Sequence, residues 1–169
     1  MNKNVFISGA SRGIGKAIAH HFANNNFVVV GTSRNEFEFD QKSDNLIPLK
    51  LDVTSRDEVG DCFEMVKSKD LLPKILINNA GITSDQIFLR MKNEDWDNVI
   101  NTNLNGVFNL SKIFVKNMIK QKEGRIINIS SISGLMGNPG QVNYSSSKAA
   151  LNGFTTVSYT HLRAHETLV

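Results

Sequence analysis

Ser131, Tyr144 and Lys148 are the residues of this 169-residue chain best suited to do chemistry. Three residues separate Tyr144 from Lys148, and twelve separate Ser131 from Tyr144. On a helix, positions i and i+4 share a face, so the tyrosine hydroxyl and the lysine ammonium can lie side by side. A cation beside a phenol favours the phenolate, which makes a tyrosine usable as a proton donor or acceptor near neutral pH. Taken alone, a Tyr-x-x-x-Lys pair is also what an ordinary exposed helix face carries. The other end of the chain gives it weight.

There, the apolar stretch Val5-Phe6-Ile7-Ser8 reads as a strand, followed by Gly9-Ala10-Ser11-Arg12-Gly13-Ile14-Gly15 and an amphipathic helix over about 14–25. Glycines at such a turn let the backbone approach a diphosphate closely, and the amides at the helix N-terminus face the phosphate charge. The spacing is G-x-x-x-G-x-G, not the commoner G-x-G-x-x-G, and glycines alone also suit an ordinary strand-to-helix turn. A second strand over 27–32 completes a βαβ unit and favours the nucleotide reading.

The elements that must position these residues alternate. The pattern predicts strands near 4–8, 27–32, 47–51, 74–78 and 125–130, and helices near 14–25, 56–69, 94–119 and 143–157. Alternation of this kind implies an α/β fold with a doubly wound parallel sheet of the Rossmann type. Continuous apolar runs such as Val28-Val29-Val30 suit strands buried on both faces. The long helix carries Trp96, Val99, Ile100, Asn103, Val107, Leu110, Phe114 and Met118 at three- and four-residue steps, one apolar stripe interrupted by an asparagine.

Composition narrows the function classes. Hydrophobic residues make up 40% and charged residues 21%, as in ordinary globular domains. No apolar run approaches the ~18 residues of a membrane span, and strand 1 begins too early to leave room for a signal peptide. Cys62, the single cysteine, sits among Val59, Phe63 and Val66 and reads as a buried structural thiol. These points lead us to expect a cytoplasmic protein. The net charge of +3 comes from scattered Lys and Arg, with no aromatic-interleaved basic stripe for nucleic acid. His161 and His165 have metal-compatible helical spacing but lack an accompanying glutamate, so no metal site is expected.

The two ends together resemble the short-chain dehydrogenase/reductase family over roughly 3–156. The motifs that carry the resemblance are the Gly9–Gly15 loop, Asn78-Asn79-Ala80-Gly81, Asn103 within Asn101-Thr102-Asn103, Ser131 and Tyr144-x-x-x-Lys148. Within the family the chain is similar to bacterial-type 3-oxoacyl-[acyl-carrier-protein] reductases. That likeness rests on Asn78–Asp85, Arg90-Met91-Lys92, Trp96, Thr102–Phe108 and Met136–Gln141. Acetoacetyl-CoA reductases look similar in the same places.

The resemblance implies NADPH-dependent reduction of a 3-oxoacyl thioester in fatty acid biosynthesis. Ser131 and Tyr144 would bind the carbonyl, and Tyr144 would deliver the proton. Lys148 would hold the nicotinamide ribose, and Asn103 would hold a water that links Lys148 to solvent. The implied cofactor residues are Gly9, Ser11, Arg12, Gly13, Ile14, Gly15, Ser33, Arg34, Asp52, Val53, Asn79, Ala80 and Gly81, together with Tyr144 and Lys148. Asp52 would meet the adenine amino group with Val53 beside the ring, although Asp-Val-Thr equally suits a turn or an N-cap. After the second strand, where an acidic residue would bind the ribose of NAD, stand Ser33 and Arg34. With Arg12 they suit the 2′-phosphate of NADP(H).

Implied partners are an acidic acyl-carrier protein and further copies of the chain, in a dimer or tetramer. Lys112, Lys116, Lys120, Lys122 and Arg125 form a basic face that could steer such a carrier or be simply solvated. The resemblance fades near residue 158. The expected organisation is therefore a reductase domain over 1–157, with its sheet incomplete at the C-terminal edge, and a foreign-looking tail over 158–169. Two other readings stay open. One is an acetoacetyl-CoA reductase or another short-chain alcohol dehydrogenase; the other is an inactive fragment that at most binds nucleotide.

Overall fold

Val5, Phe6 and Ile7 are completely buried, and they form the middle of strand β1 (Asn4–Ser8). Because side chains alternate along a strand, Phe6 points to one apolar cluster and Val5 and Ile7 to another. A strand with a core on each face must be central in its sheet. In the computed structural model, which describes residues 3–41 and 43–163, with side chains described as far as Val157, it is so. β1 pairs in parallel with β2 (Val28–Ser33) on one side and β4 (Ile75–Asn78) on the other. β3 (Leu46–Lys50) and β5 (Arg125–Asn128) extend the sheet to the order β3-β2-β1-β4-β5. The order reverses direction between β1 and β4. In open α/β sheets the ligand crevice lies beyond the strands' carboxyl ends at that point.

The residues group into two units, Met1–Gly81 with Asn105–Ile129 and Ile82–Leu104 with Ser130–Val169. In the first, α1 (Gly13–Asn24) covers one face of the sheet with Ala19 and Ala23. α2 (Arg56–Ser68) and α4 (Gly106–Gln121) cover the other with Val59, Cys62, Val66, Leu110, Phe114 and Met118. Ser55 starts α2 by accepting a hydrogen bond from the Glu58 amide at 3.2 Å, a standard N-cap. Burial raises the Cys62 thiol to about 11, as expected of a structural cysteine.

The second unit holds α3 (Asn93–Ile100), the short α5 (Ser133–Met136) and α6 (Val142–Arg163). Gly134 lies so close to α6 that a Cβ there would sit 2.7 Å from the Lys148 carbonyl carbon.

Most expected elements form within a residue or two of their expected ends. The helix expected over 94–119 is instead three consecutive segments: α3, a π-helical turn over Asn101–Asn105, and α4. A π turn inserts one residue without breaking the apolar rhythm, so periodicity alone reads through it. Trp96, placed on the buried stripe, is 37% exposed. The boundary expected at Ser158 falls inside α6, whose backbone runs on to Arg163. The side chain of His161, and all of His165, lie outside the described residues. Among the described residues, no helix is long and apolar enough to cross a membrane.

Candidate functional site

In the first unit, the turn after β1 is built around contacts only glycine permits. Gly9 has φ +71°, and a Cβ there would lie 2.8 Å from Ala80 Cα. A Cβ on Gly15 would lie 2.2 Å from the Gly9 carbonyl oxygen. Gly13, at φ +56°, has nothing within 4 Å of its Cβ position, so the space above the turn is open. Arg12, exposed, occupies the N-cap of α1 without a side-chain capping bond, and no acidic residue lies in the first turn. The helix dipole and the arginine therefore act together as an anion cradle. These residues fit the diphosphate of a dinucleotide. Ser11 and the exposed Ile14 complete the loop.

Asn79 fixes this loop to the end of β4. Its Nδ2 donates to the carbonyls of Ser8 at 3.1 Å and Gly9 at 2.8 Å. Ser8 Oγ, nearly buried, accepts from the amides of Asn79 and Ala80, both at 3.1 Å. Asn79 and Ala80 thus support the turn through specific bonds, and Gly81 follows them at the surface. Ser33 ends β2 half-buried, and Arg34 beyond it is exposed.

Asp52 takes the turn role its local sequence allowed. Its Oδ1 accepts from the Thr54 amide at 2.9 Å and the Thr54 hydroxyl at 2.8 Å. Val53 is 4% exposed and packed in the apolar cluster under α2 and α4, and its carbonyl accepts from Asn109 Nδ2 at 3.0 Å. An adenine ring beside Val53 would therefore meet its backbone.

The second unit contains all four residues expected to be catalytic. Tyr144 and Lys148 occupy successive turns of α6, and Lys148 Nζ lies 5.7 Å from the centre of the Tyr144 ring. Lys148 is 5% exposed, and burial lowers its pKa from the ordinary lysine value. Its backbone is held by Ser130, whose hydroxyl donates to the Lys148 carbonyl at 3.2 Å. Ser131 Oγ accepts from the Ser133 amide at 3.2 Å, which leaves its hydroxyl proton to be donated elsewhere.

Asn103 is completely buried in the π turn. Its Oδ1 accepts from the Ile82 amide at 2.8 Å, and its Nδ2 donates to the Ile82 carbonyl at 3.0 Å and Ser147 Oγ at 3.1 Å. Both amide protons are thus committed to protein partners. The side chain acts as a strut between the segment at Ile82 and the helix carrying Tyr144. Ser147 Oγ passes the strut on by donating to the Tyr144 carbonyl at 2.7 Å.

Sequence reasoning missed Ser8, Ser130, Asn143 and Ser147. Asn143 is fully buried; its Oδ1 accepts from the Tyr144 amide at 2.8 Å, and its Nδ2 donates to the Ser84 carbonyl at 3.0 Å. A polar residue next to Tyr144 was the available signal, but only the partner at Ser84, 59 positions away, gives it meaning. Among the described residues no group of three or more His, Cys, Asp or Glu could hold a metal ion.

The sequence model of the short chain dehydrogenase family matches residues 3–169. Among curated relatives, the chain is 44% identical over 160 residues to the 3-oxoacyl-[acyl-carrier-protein] reductase FabG of Thermotoga maritima. It is 43% identical over 157 residues to the reductase of the same name from Escherichia coli. Those alignments cover 90% of this chain but 65% and 64% of the relatives, so the chain spans slightly less than two thirds of their length. Among solved structures, it is similar to a 4-hydroxyisoleucine dehydrogenase complexed with NADH. That likeness has a TM-score of 0.85 and 33% identity, and covers 95% of this chain and 69% of the other.

Proposed function

From a chain that belongs to the short-chain dehydrogenase family, we propose NADPH-dependent reduction of a 3-oxoacyl thioester carried on acyl-carrier protein to the 3-hydroxyacyl thioester. The observation that carries this reading is the placement of Lys148 Nζ over the Tyr144 ring on adjacent turns of α6. The names of the bacterial relatives support the substrate class. The setting is the cytosol, and the working assembly is a dimer or tetramer.

When bound, the dinucleotide supplies a hydride to the substrate's carbonyl carbon. The chain's own residues do the rest. The Gly9–Gly15 loop, Arg12 and the α1 N-terminus bind the diphosphate. Ser33 and Arg34 bind the 2′-phosphate, with Asp52 and the Val53 backbone toward the adenine. Ser131 donates its free hydroxyl proton to the carbonyl oxygen and stabilises the negative charge that develops there. Tyr144 transfers its hydroxyl proton to that oxygen, completing the alcohol. Lys148, beside the phenol, stabilises the phenolate left behind and holds the cofactor ribose. Asn103 keeps α6 in register and, at the π turn, lies on the route by which a water returns a proton.

The test is Tyr144→Phe, which keeps the ring and the lysine contact but removes the proton. Turnover of acetoacetyl-CoA with NADPH should fall by ~100-fold or more, with nucleotide affinity nearly intact. Near-parental turnover would remove Tyr144 from its role.

A further inference from the structure

In the first unit, the connection from β2 to β3, residues 34–45, contains no helix among the described residues. A parallel crossover is usually built on one, so side chains must hold this segment in place. Phe39 is 8% exposed. Its ring covers Gly31 of β2, where a Cβ would lie 2.6 Å from Phe39 Cζ and 2.8 Å from Ala10 Cβ. Only glycine leaves room for the ring there. Phe37 packs against Phe39 with ring centres 5.1 Å apart. His20 of α1 meets Phe39 at nearly a right angle, ring centres 5.7 Å apart.

Next along the segment, Asp40 accepts a hydrogen bond from Lys16 Nζ in an ion pair. Lys16 and His20 stand four residues apart on α1 and so share a face. That face grips two successive residues, Phe39 and Asp40. The Asp40 side chain is 75% exposed, so the pair adds little to stability. Its effect is to fix a place. The helix it grips is the one whose N-terminus forms the anion cradle with Arg12.

Between the end of β2 at Ser33 and the packed Phe37 lie Arg34, Asn35 and Glu36, all exposed. An arginine suits a 2′-phosphate, whereas a glutamate suits the bare ribose hydroxyls of NAD and repels a phosphate. Which of the two serves the ribose depends on how the segment leaves the strand. We propose that Phe39 and the Lys16–Asp40 pair clamp the segment to α1 and so hold Arg34, not Glu36, at the 2′-position of the bound dinucleotide. They are positioning residues for cofactor selection, and the inference rests on the NADPH reading above. Without the clamp the segment has no preset course, and ordering Arg34 opposes binding.

The test measures binding, without substrate or turnover. Isothermal titration calorimetry on the full chain compares adenosine 2′,5′-bisphosphate with adenosine 5′-monophosphate, which lacks only the 2′-phosphate. The parent should bind the bisphosphate more tightly. Phe39→Ala and Asp40→Asn should each weaken the bisphosphate by about 3- to 10-fold, the effect of freeing one long side chain. Both should leave the monophosphate unchanged. Asp40→Asn also removes a negative charge, which by itself would tighten an anion, so a weaker bisphosphate cannot be a charge effect. Asp40→Glu keeps the ion pair and should restore most of the affinity. Because Asp40 lies at the surface, Asp40→Asn decides the matter if Phe39→Ala does not fold.

Equal weakening of both nucleotides would overturn the clamp, because it would mark a general loss of structure. So would an unchanged ratio in both variants. A tighter bisphosphate in Asp40→Asn would overturn it too, since Asp40 would then merely mute the charge of Lys16. In each of these cases the parent's preference for the 2′-phosphate, and the NADPH reading with it, would stand. A parent that binds both nucleotides equally would remove the NADPH reading together with the clamp.

Discussion

Asn103 Nδ2 donates to Ser147 Oγ at 3.1 Å across 44 positions of sequence, and the same serine hydroxyl donates to the Tyr144 carbonyl at 2.7 Å. The bond joins the π turn to α6, the helix that carries Tyr144. Asn103→Ala would strand the Ile82 amide and carbonyl as well as the serine. Leaving buried groups unsatisfied costs about 1–3 kcal/mol each. We expect a fall in urea midpoint together with a loss of turnover. Ser147→Ala keeps the two Ile82 bonds, so its loss of stability should be smaller. If the two variants unfold at the same urea concentration, the Ile82 bonds contribute nothing.

The glycine turn separates two kinds of constraint. Gly15→Ala forces a Cβ to 2.2 Å from the Gly9 carbonyl oxygen, so the turn or α1 must move. Gly13→Ala meets no atom within 4 Å, but its φ of +56° costs of order 1 kcal/mol in backbone strain. Thermal denaturation should therefore show Gly15→Ala as clearly the more destabilised of the two. Equal melting temperatures would mean that the turn relaxes freely and that close packing is not the reason for Gly15.

How far the sequence is legible follows from the range of each interaction. Tyr144 and Lys148 meet through a helix repeat that spacing alone reveals, and the Gly9–Gly15 turn announces itself by composition. Ser8 reads as one more strand residue, because its amide partners at Asn79 and Ala80 lie 71 and 72 positions away. The strut at Asn103 shows in sequence only as a polar break in an apolar stripe. The π turn around it is invisible, since one inserted residue shifts a helical pattern no more than ordinary irregularity does. Trp96 fits the apolar stripe by its spacing, whereas its place in α3, ahead of the turn, leaves it 37% exposed.

Lys148 should leave a mark on the pH dependence of stability. Burial lowers its pKa in the folded state below 10.5, so between the lowered value and 10.5 the unfolded chain binds more protons. Stability then rises with pH across that window, and the penalty for the buried charge is complete below it. Cys62 acts in the opposite sense: its thiol is raised from 9.0 to about 11, so its contribution is lost as pH climbs through that interval. Comparing Lys148→Met with the parent cancels the cysteine. Urea unfolding at several pH values should show the variant gaining on the parent as pH falls through the window, then running parallel below it. A constant offset at every pH would mean that Lys148 is not desolvated.

Arg34 carries the cofactor prediction. It is exposed just past the end of β2, and the first acidic residue, Glu36, comes two positions later. Arg12 is likewise exposed at the N-cap of α1. A guanidinium pairs with phosphate through two parallel hydrogen bonds, whereas a ribose hydroxyl calls for a carboxylate acceptor. The parent should prefer NADPH to NADH by at least ~10-fold in kcat/KM, equivalent to about 1.4 kcal/mol. Arg34→Asp should shrink or invert that ratio, through a raised KM for NADPH at little change in kcat. Arg34→Lys keeps a charge but not the forked geometry and should fall between the two. Steady-state kinetics with both dinucleotides decides it: equal use of NADPH and NADH by the parent would take Arg34 out of cofactor selection.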